Sequence, residues 1–260
     1  MTTKQVYGLD GKAKRRITLP EVFSTEIRPD VIKRAVLALQ SHRLQPQGRD
    51  PMAGKRTTAI SMGTGYGTAR LPRVKGSRYP KARAGAFAPN TVGGRTTHPP
   101  SSNKRIYQKV NKKERQLAIR SAIAATADKK TVTSRGHRIN EVATLPLIVE
   151  DKIQEISQAS EAKAIFEKLG LLPDLRRVEN SRKIRAGKGK RRGRKRRHAV
   201  GPLFVVDVDK GIRKGMRNFL GVDVIEVEKV NAELLAPGTV PGRLTVWTHS
   251  AIKTLKKIHV

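Results

Sequence analysis

The sequence predicts an α/β protein: a mainly parallel sheet flanked by helices, interrupted by a long, extended internal loop of strongly basic character. Three observations carry this expectation. Short apolar runs of strand length alternate with longer stretches at helical spacing, as in a parallel sheet covered on both faces. Between Asp50 and Glu114 the chain contains not one acidic residue. Cysteine is absent, so neither disulfides nor thiolate-held zinc contribute to the fold.

The elements follow in order. Residues 5–9 and 16–19 flank Asp10-Gly11, the signature of a small hairpin or turn. Pro29 suits the first turn of a helix, and Ile27, Val31, Ile32, Ala35, Val36 and Leu39 lie at helical spacing around it. Gln45-Pro46-Gln47-Gly48 closes that helix and opens the loop, which runs to about residue 104 through turn dipeptides such as Gly93-Gly94 and Pro99-Pro100. Asn111 is placed as the N-cap of the next helix, and Glu114, three positions on, completes a pattern like a capping box. Leu117, Ala118, Ser121, Ala122 and Ala125 form one face of that helix. Residues 145–149 read as a buried strand, and Ser160 as the cap of a helix through Ala162, Ile165, Phe166 and Leu169 that ends at Gly170. Residues 203–206, 222–227 and 244–247 are three further strands, with helices expected at 231–235 and 250–258.

Residues 1–44 and 105–260 are therefore expected to form one globular domain, with 45–104 inserted as the loop and 176–198 as a basic segment on the domain surface. Without the loop about 200 residues remain, enough to bury a core. No apolar run reaches the length of a membrane span, and the first residues lack a signal-peptide pattern, which predicts a soluble, intracellular protein.

Charge locates the function. Lys and Arg total 55 against 21 acids, a formal charge of +34. Residues 51–113 carry fourteen of those cations, eight glycines and six prolines. Residues 176–197 carry thirteen more against Glu179 alone. These two stretches hold +14 and +12, leaving only +8 for the rest of the chain. A segment so basic and so poor in large apolar residues cannot offset its ordering entropy by burial, and a polyanion would supply what it lacks. Arginine and glycine alternating along a chain let backbone and guanidinium groups approach phosphates together. Tyr66, Tyr79, Phe87 and Tyr107 are interleaved with the charges, suited equally to stacking on bases or to packing within the loop.

Enzymatic readings fare worse. Gly63-Thr-Gly65-Tyr-Gly67 looks like a dinucleotide loop, but Arg70-Leu-Pro72 follows where a helix must begin. Five residues separate Gly48 from Gly54, and Arg56 occupies the place of the hydroxyl that a triphosphate loop requires. Arg185-Ala-Gly187-Lys-Gly189-Lys190 lacks that hydroxyl too. Asp207 and Asp209 lie just beyond a strand and could hold magnesium, yet a solvated turn or ion pairs with Lys210 or Arg213 suit them better. The six histidines show no metal-ligand spacing, and His198 sits within the second basic stretch. No cofactor, metal or catalytic residue is expected. A free nucleic-acid-binding regulator and a Rossmann-type enzyme are the competing classes; the first needs no long loop and the second lacks its cofactor loop.

Several motifs then narrow the class. Gly63-Thr-Gly-Tyr-Gly67 through Gly93-Gly94-Arg95, Gln108-Lys-Val-Asn-Lys-Lys-Glu114, Arg182-Lys-Ile-Arg-Ala-Gly-Lys-Gly-Lys190, Gly221-Val-Asp223, Leu235-Ala-Pro-Gly238 and Trp247-Thr248 occur in this order. Together they closely resemble the family of large-subunit ribosomal protein four, over nearly the whole chain. The second basic stretch is similar to that of the archaeal and eukaryotic branch, and the lack of a long C-terminal extension favours the archaeal type. Arg191-Arg192-Gly193 departs from the family pattern by being more basic, which changes charge density alone.

The resemblance implies a single α/β domain with Rossmann-like layering that binds no nucleotide, and a loop that threads through large-subunit ribosomal RNA to the wall of the polypeptide exit tunnel. Such a protein is cytoplasmic within the large subunit and supports its assembly. Its partners are large-subunit ribosomal RNA, neighbouring ribosomal proteins and, in passing, the nascent polypeptide, with no membrane and no small-molecule substrate. A loop of this length, folded back on itself, reaches at most about 100 Å. The tip is expected near residues 70–83, where Arg70, Arg73, Lys75, Arg78, Tyr79, Lys81 and Arg83 are the tunnel-lining candidates. RNA contacts are expected from these cations together with Lys55, Arg56, Arg95, Lys104, Arg105, Lys109, Lys112 and Lys113. The second stretch adds Arg182, Lys183, Arg185, Lys188, Lys190, Arg191, Arg192, Arg194, Lys195, Arg196 and Arg197. Removing the tip is expected to leave the domain core intact.

Overall fold

A computed structural model describes residues 2–258. The chain divides into two compact units, one containing the chain up to Gln40 and from Lys109 onward, the other Ser41–Gln108.

The larger unit is a mixed α/β body. Strands β1 (Thr3–Tyr7) and β2 (Ala13–Thr18) form the antiparallel hairpin expected around Asp10-Gly11. Helix α1 (Pro29–Ser41) begins on its proline. Helices α2 (Lys112–Ala127) and α3 (Lys129–Ser134) precede β3 (Leu147–Val149). Then come α4 (Ala159–Lys168), α5 (Leu172–Asn180) and the short pair β4 (Lys183–Ile184) and β5 (Arg196–Arg197). The chain closes with β6 (Leu203–Val206), α6 (Ile212–Met216), β7 (Asp223–Glu226), α7 (Ala232–Leu235), β8 (Thr245–Thr248) and α8 (His249–Ile258).

Six strands make one sheet in the order β2-β1-β3-β8-β6-β7, parallel except for the β1–β2 edge pair. Alternation along each strand sends side chains to opposite faces. Val6, Ile148, Trp247, Leu203 and Val205 face the buried sides of α1, α2, α7 and α8. Tyr7, Leu147, Val149, Val246, Phe204 and Val206 face α4, α5 and α6. Both faces of the sheet are thus covered, which is why its strands read as continuous apolar runs. Trp247 is fully buried, its ring edge-on to Phe23 at 5.6 Å and its indole N–H donated to Thr245 Oγ1 at 3.0 Å.

Two helix starts differ from expectation. Asn111 precedes α2 but its side chain makes no capping bond, and Glu114 pairs with Arg34 of α1 at 2.6 Å instead of reaching back. Tertiary charge pairing has taken the carboxylate that a capping box would use. Helix α4 starts at Ala159 with Gln158 at the cap position, so Ser160 lies inside its first turn. Its other end follows expectation. Gly170 takes φ +70° and donates to Glu167 O at 3.1 Å, while Leu171 donates to Phe166 O at 2.9 Å, a Schellman closure that only glycine makes without strain. Among the described residues, no helix is long and apolar enough to cross a membrane.

Candidate nucleic-acid interface

Beyond Ser41, where α1 ends, the unit Ser41–Gln108 contains no helix and no extended strand; it is built from turns and isolated bridges. Ile60 pairs with Arg73, and Arg73 with Gly85, so three antiparallel segments meet at one arginine. Bonds between Val74 and Ala84 (3.0 Å) and from Arg83 N to Val74 O (3.0 Å) extend the second pairing. Residues 75–82 are therefore the turn of a small hairpin. Glycine serves here in two ways. A Cβ on Gly54 would lie 2.5 Å from the Gly94 carbonyl carbon, and one on Gly94 would lie 2.0 Å from Ala88 O, so these positions are fixed by internal packing. Gly63, Gly65 and Gly67 instead take φ between +61° and +92° with open space around each. No helix follows them; the chain returns through Arg70, whose carbonyl accepts from Ser61 Oγ at 3.0 Å, to the Ile60–Arg73 bridge.

The cations of this unit are mostly in solvent. Arg70, Lys75, Arg78, Lys81, Arg83, Lys104 and Arg105 are exposed, whereas Lys55, Arg73 and Arg95 are half-buried. Arg56 pairs with Asp50 and holds that carboxyl below the usual carboxylate range. Among the described residues none of the other cations just named pairs with an acid. Arg73 points back into its own unit, donating to Arg83 O at 2.9 Å, with its Nε buried and unpartnered. The aromatic side chains divide. Tyr107 stacks on His42, ring centroids 4.0 Å apart and planes 8° from parallel, which is the packing role. Tyr66 stays well exposed, and the Tyr79 hydroxyl donates to Lys75 O.

A second cationic surface lies on the body. Strands β4 and β5 pair antiparallel, and Arg185 N donates to Lys195 O at 2.8 Å, forming a basic hairpin. Its turn uses left-handed Gly187 and Gly193, which have no neighbour within 4 Å. Arg182, Lys183, Lys188, Lys190, Arg191, Arg192, Arg194, Lys195, Arg196 and Arg197 are exposed, and Arg185 is half-buried with Nε donated to Arg194 O. None of these pairs with an acid among the described residues. Lys109, Lys112 and Lys113 are exposed as well, and the last two occupy the first turn of α2, where cations oppose the helix dipole. A bound anion would offset that cost.

Arg177, at the start of the same basic stretch, serves the fold instead. It donates through Nε to Asp174 Oδ1 at 2.8 Å and through Nη2 to Val200 O at 2.8 Å. Asp174 is fully buried and also meets His137 Nδ1 at 3.0 Å and the Arg138 amide at 3.0 Å. Burial works against ionising Asp174, but its bonds from His137 and Arg177 prevail and hold the carboxyl below its ordinary range. Burial pushes His137 down, against the opposing pull of Asp174. Arg243 is the other buried cation. It donates to the carbonyls of Gly201 (2.9 Å), Leu234 (3.0 Å) and Gly221 (3.1 Å) and pairs with Asp223 at 2.6 Å. Burial beside Arg243 and Arg177 also brings Arg135 down to about 10. Sequence reading missed this network; the lone Arg243 entering an apolar strand was its one visible sign.

Asp209 lies in an exposed turn, one of the two expectations, and among the described residues neither it nor Asp207 makes the other, an ion pair with Lys210 or Arg213. Asp207 accepts from Thr254 at 2.8 Å. Asp209 accepts from the amides of Gly211 and Arg213, capping the turn into α6, and Lys210 turns to Glu155. Backbone amides at a helix start outcompete a flexible surface side chain for the carboxylate. Among the described residues no group of three or more His, Asp or Glu is placed to hold a metal ion.

Residues 17–258, from the end of β2 through the inserted unit, the basic hairpin and the parallel strands β3, β6, β7 and β8, match a family of ribosomal proteins, which are structural components and not enzymes. The chain belongs to the Ribosomal protein L4/L1 family. It is 54% identical over 255 residues to the large ribosomal subunit protein uL4 of Methanosphaera stadtmanae, covering 98% of this chain and 96% of that one. It is 49% identical over 253 residues to the protein of the same name from Pyrobaculum aerophilum, with 97% and 88% covered. The corresponding figures for Methanopyrus kandleri are 47% over 252 residues, with 97% of each chain covered. These relatives are archaeal, and the archaeal type is the one this chain matches.

Proposed function

We propose that this protein, as a cytoplasmic constituent of the large ribosomal subunit, binds large-subunit ribosomal RNA through two separate cationic surfaces. The body, with the β4–β5 hairpin and the start of α2, supplies the contacts that bring it into an assembling subunit. Residues 45–104 are the extended loop, and the 75–82 turn lies at the wall of the polypeptide exit tunnel. The body is Rossmann-like in layering, a reading supported by the parallel run β3-β8-β6-β7 covered on both faces. Neighbouring ribosomal proteins and the passing nascent chain are its other partners.

The observation that carries this reading is charge left without a counter-charge. Fourteen cations in 51–113 face no acid of their own segment, and Asp50, just before it, pairs with Arg56. Phosphates supply that counter-charge in number, and neutralising them releases counterions.

The two bridges decide which part of the loop can be removed cleanly. Deleting the whole of 70–83 would remove Arg73, around which the other two segments pair, and would dismantle the unit along with its tip. Replacing 75–82 by a two-residue turn between Val74 and Arg83 removes Lys75, Arg78, Tyr79 and Lys81 while keeping both bridges. The shortened protein is expected to enter large subunits at normal occupancy, with altered pausing on stalling peptides. Normal occupancy with unchanged stalling would sink the tunnel-wall assignment. Failed incorporation would make the turn an assembly element.

A further inference from the structure

The unit Ser41–Gln108 contains a groove of about 830 Å³, within the range that encloses a small organic ligand. Leu71, Val74, Ala84, Ala86 and Phe87 supply apolar lining, and Arg56, Arg73 and Lys81 bring cations to it. The groove follows from the local chain path. Arg73 lies between Ile60 and Gly85, and at Gly85 the place a side chain would take is filled by Leu71, whose Cδ1 would lie 2.5 Å from a Cβ there. Phe87 takes φ +64°, a left-handed conformation that is strained for a residue with a side chain. Phe87 nevertheless remains over a third exposed (36%). Arg73 Nε is buried with no partner, although Nη1 is satisfied. A strained aromatic and an unsatisfied guanidinium at one groove are costs that an absent ligand would offset.

Charge selects the occupant. A second copy of this chain would bring another +34, and a basic peptide would find no acid along the lining. An apolar lining edged by cations instead suits a nucleobase on its phosphate. Unstacked bases are held in this way by aromatic faces and guanidinium planes.

We propose that this groove receives one unpaired nucleobase of ribosomal RNA, stacked against Phe87, with Arg73 and Lys81 engaging the base edge and the adjoining phosphate. Extrusion of a base that is already unpaired costs least, so the target is a loop or bulge nucleotide. The inference rests on the RNA-binding reading above and adds to it a single, base-reading contact.

The test places a benzophenone amino acid at Phe87 or, separately, at Tyr79, in the full chain assembled into large subunits. From position 87, crosslinking is expected at one nucleotide and on its base. Filling the groove by Ala86→Trp should lower that yield about tenfold, the scale of removing one base–aromatic stack, while crosslinking from position 79 persists. Should Ala86→Trp fail to assemble, Ala84→Leu at the exposed edge of the lining fills it less intrusively, with a smaller fall expected. Crosslinks from position 87 that scatter over many nucleotides, fall on protein, or survive filling would overturn the proposal. If position 79 still reaches RNA, the general RNA reading stands and the base pocket alone fails. If both positions reach only protein, both readings fail together.

Discussion

The body and the unit Ser41–Gln108 use the same basic residues under opposite rules. In the body, buried Arg243 and half-buried Arg177 find carbonyls and carboxylates at hydrogen-bond distance, and two apolar clusters close over both faces of the sheet. In the other unit a cluster of turns, two bridges, one Asp50–Arg56 pair and one His42–Tyr107 stack hold the chain, while most of its cations face solvent. A cation that completes a fold is recognised by its acceptors. A cation that awaits a partner is recognised by their absence among the described residues. Counting charge along the chain does not separate the two, as Arg177 within the second basic stretch demonstrates.

The largest expected difference between the regions is in protease resistance. Local opening free energy is low where buried apolar contacts are few. Limited proteolysis of RNA-free protein should therefore cut between residues 50 and 105 long before the body, by orders of magnitude in rate. Equal protection of both regions would break the comparison.

Within the body the buried network should dominate mutational cost. Asp174→Asn removes the charge that satisfies Arg177 and His137, and breaking a buried pair by one partner costs about 3–5 kcal/mol. Arg243→Met strands three carbonyls and is expected to cost about 3 kcal/mol. Chemical denaturation of each variant measures the destabilisation. Cleavage rates within 50–105 should not change, and a parallel change there would mean the two units share their stability.

On the basic hairpin the expectation reverses. Replacing Arg191, Arg192, Arg194, Lys195, Arg196 and Arg197 by Ala removes exposed charge with no acid partner, so the denaturation midpoint should hold. The slope of log affinity against log salt for ribosomal RNA should flatten by about 4–5, close to one unit for each phosphate no longer neutralised. An unchanged slope would turn this hairpin toward solvent or protein.

These contrasts also explain what the sequence could reveal. Strands β6, β7 and β8 and helices α1, α4 and α8 were legible because burial on fixed faces writes apolar periodicity into the chain. The basic character of 51–113 and 176–197 was legible as composition. The β4–β5 hairpin was not, since both of its strands are exposed and carry no apolar alternation. Nor was the joining of His137 to Asp174 and of Arg243 to Asp223, because pairs 37 and 20 residues apart leave no local spacing. Asn111 and Asp209 illustrate a further limit. Each has the right residue type for a local role, but only Asp209 plays it, accepting from amides two and four residues on, whereas the Asn111 side chain makes no capping bond and Glu114 is taken by Arg34 of α1.

The smallest effect sharpens the comparison through pH. Burial lowers His137 below its unfolded value of 6.5, so above that pH the group is neutral in both states and contributes no pH dependence. Below 6.5 the unfolded chain takes up a proton that the folded body still refuses, and stability falls with pH until the folded pKa is passed. The slope for one such group is at most about 1.4 kcal/mol per pH unit. His249 is lowered as well, first by burial and then by Arg15 and Lys253, and adds in the same direction. Asp174, held below 3.8, adds a separate loss only at more acidic pH. Denaturation between about pH 7.5 and about pH 5 should therefore show the body weakening from about pH 6.5 downward. His137→Gln should remove part of that slope and His249→Asn the remainder, while Asp174→Asn changes its starting level. Cleavage in the basic unit should stay flat over the same range if the histidine network belongs to the body alone. A body whose stability does not vary over that range would mean that His137 takes its proton equally well folded and unfolded, and that Asp174 compensates for its burial in full.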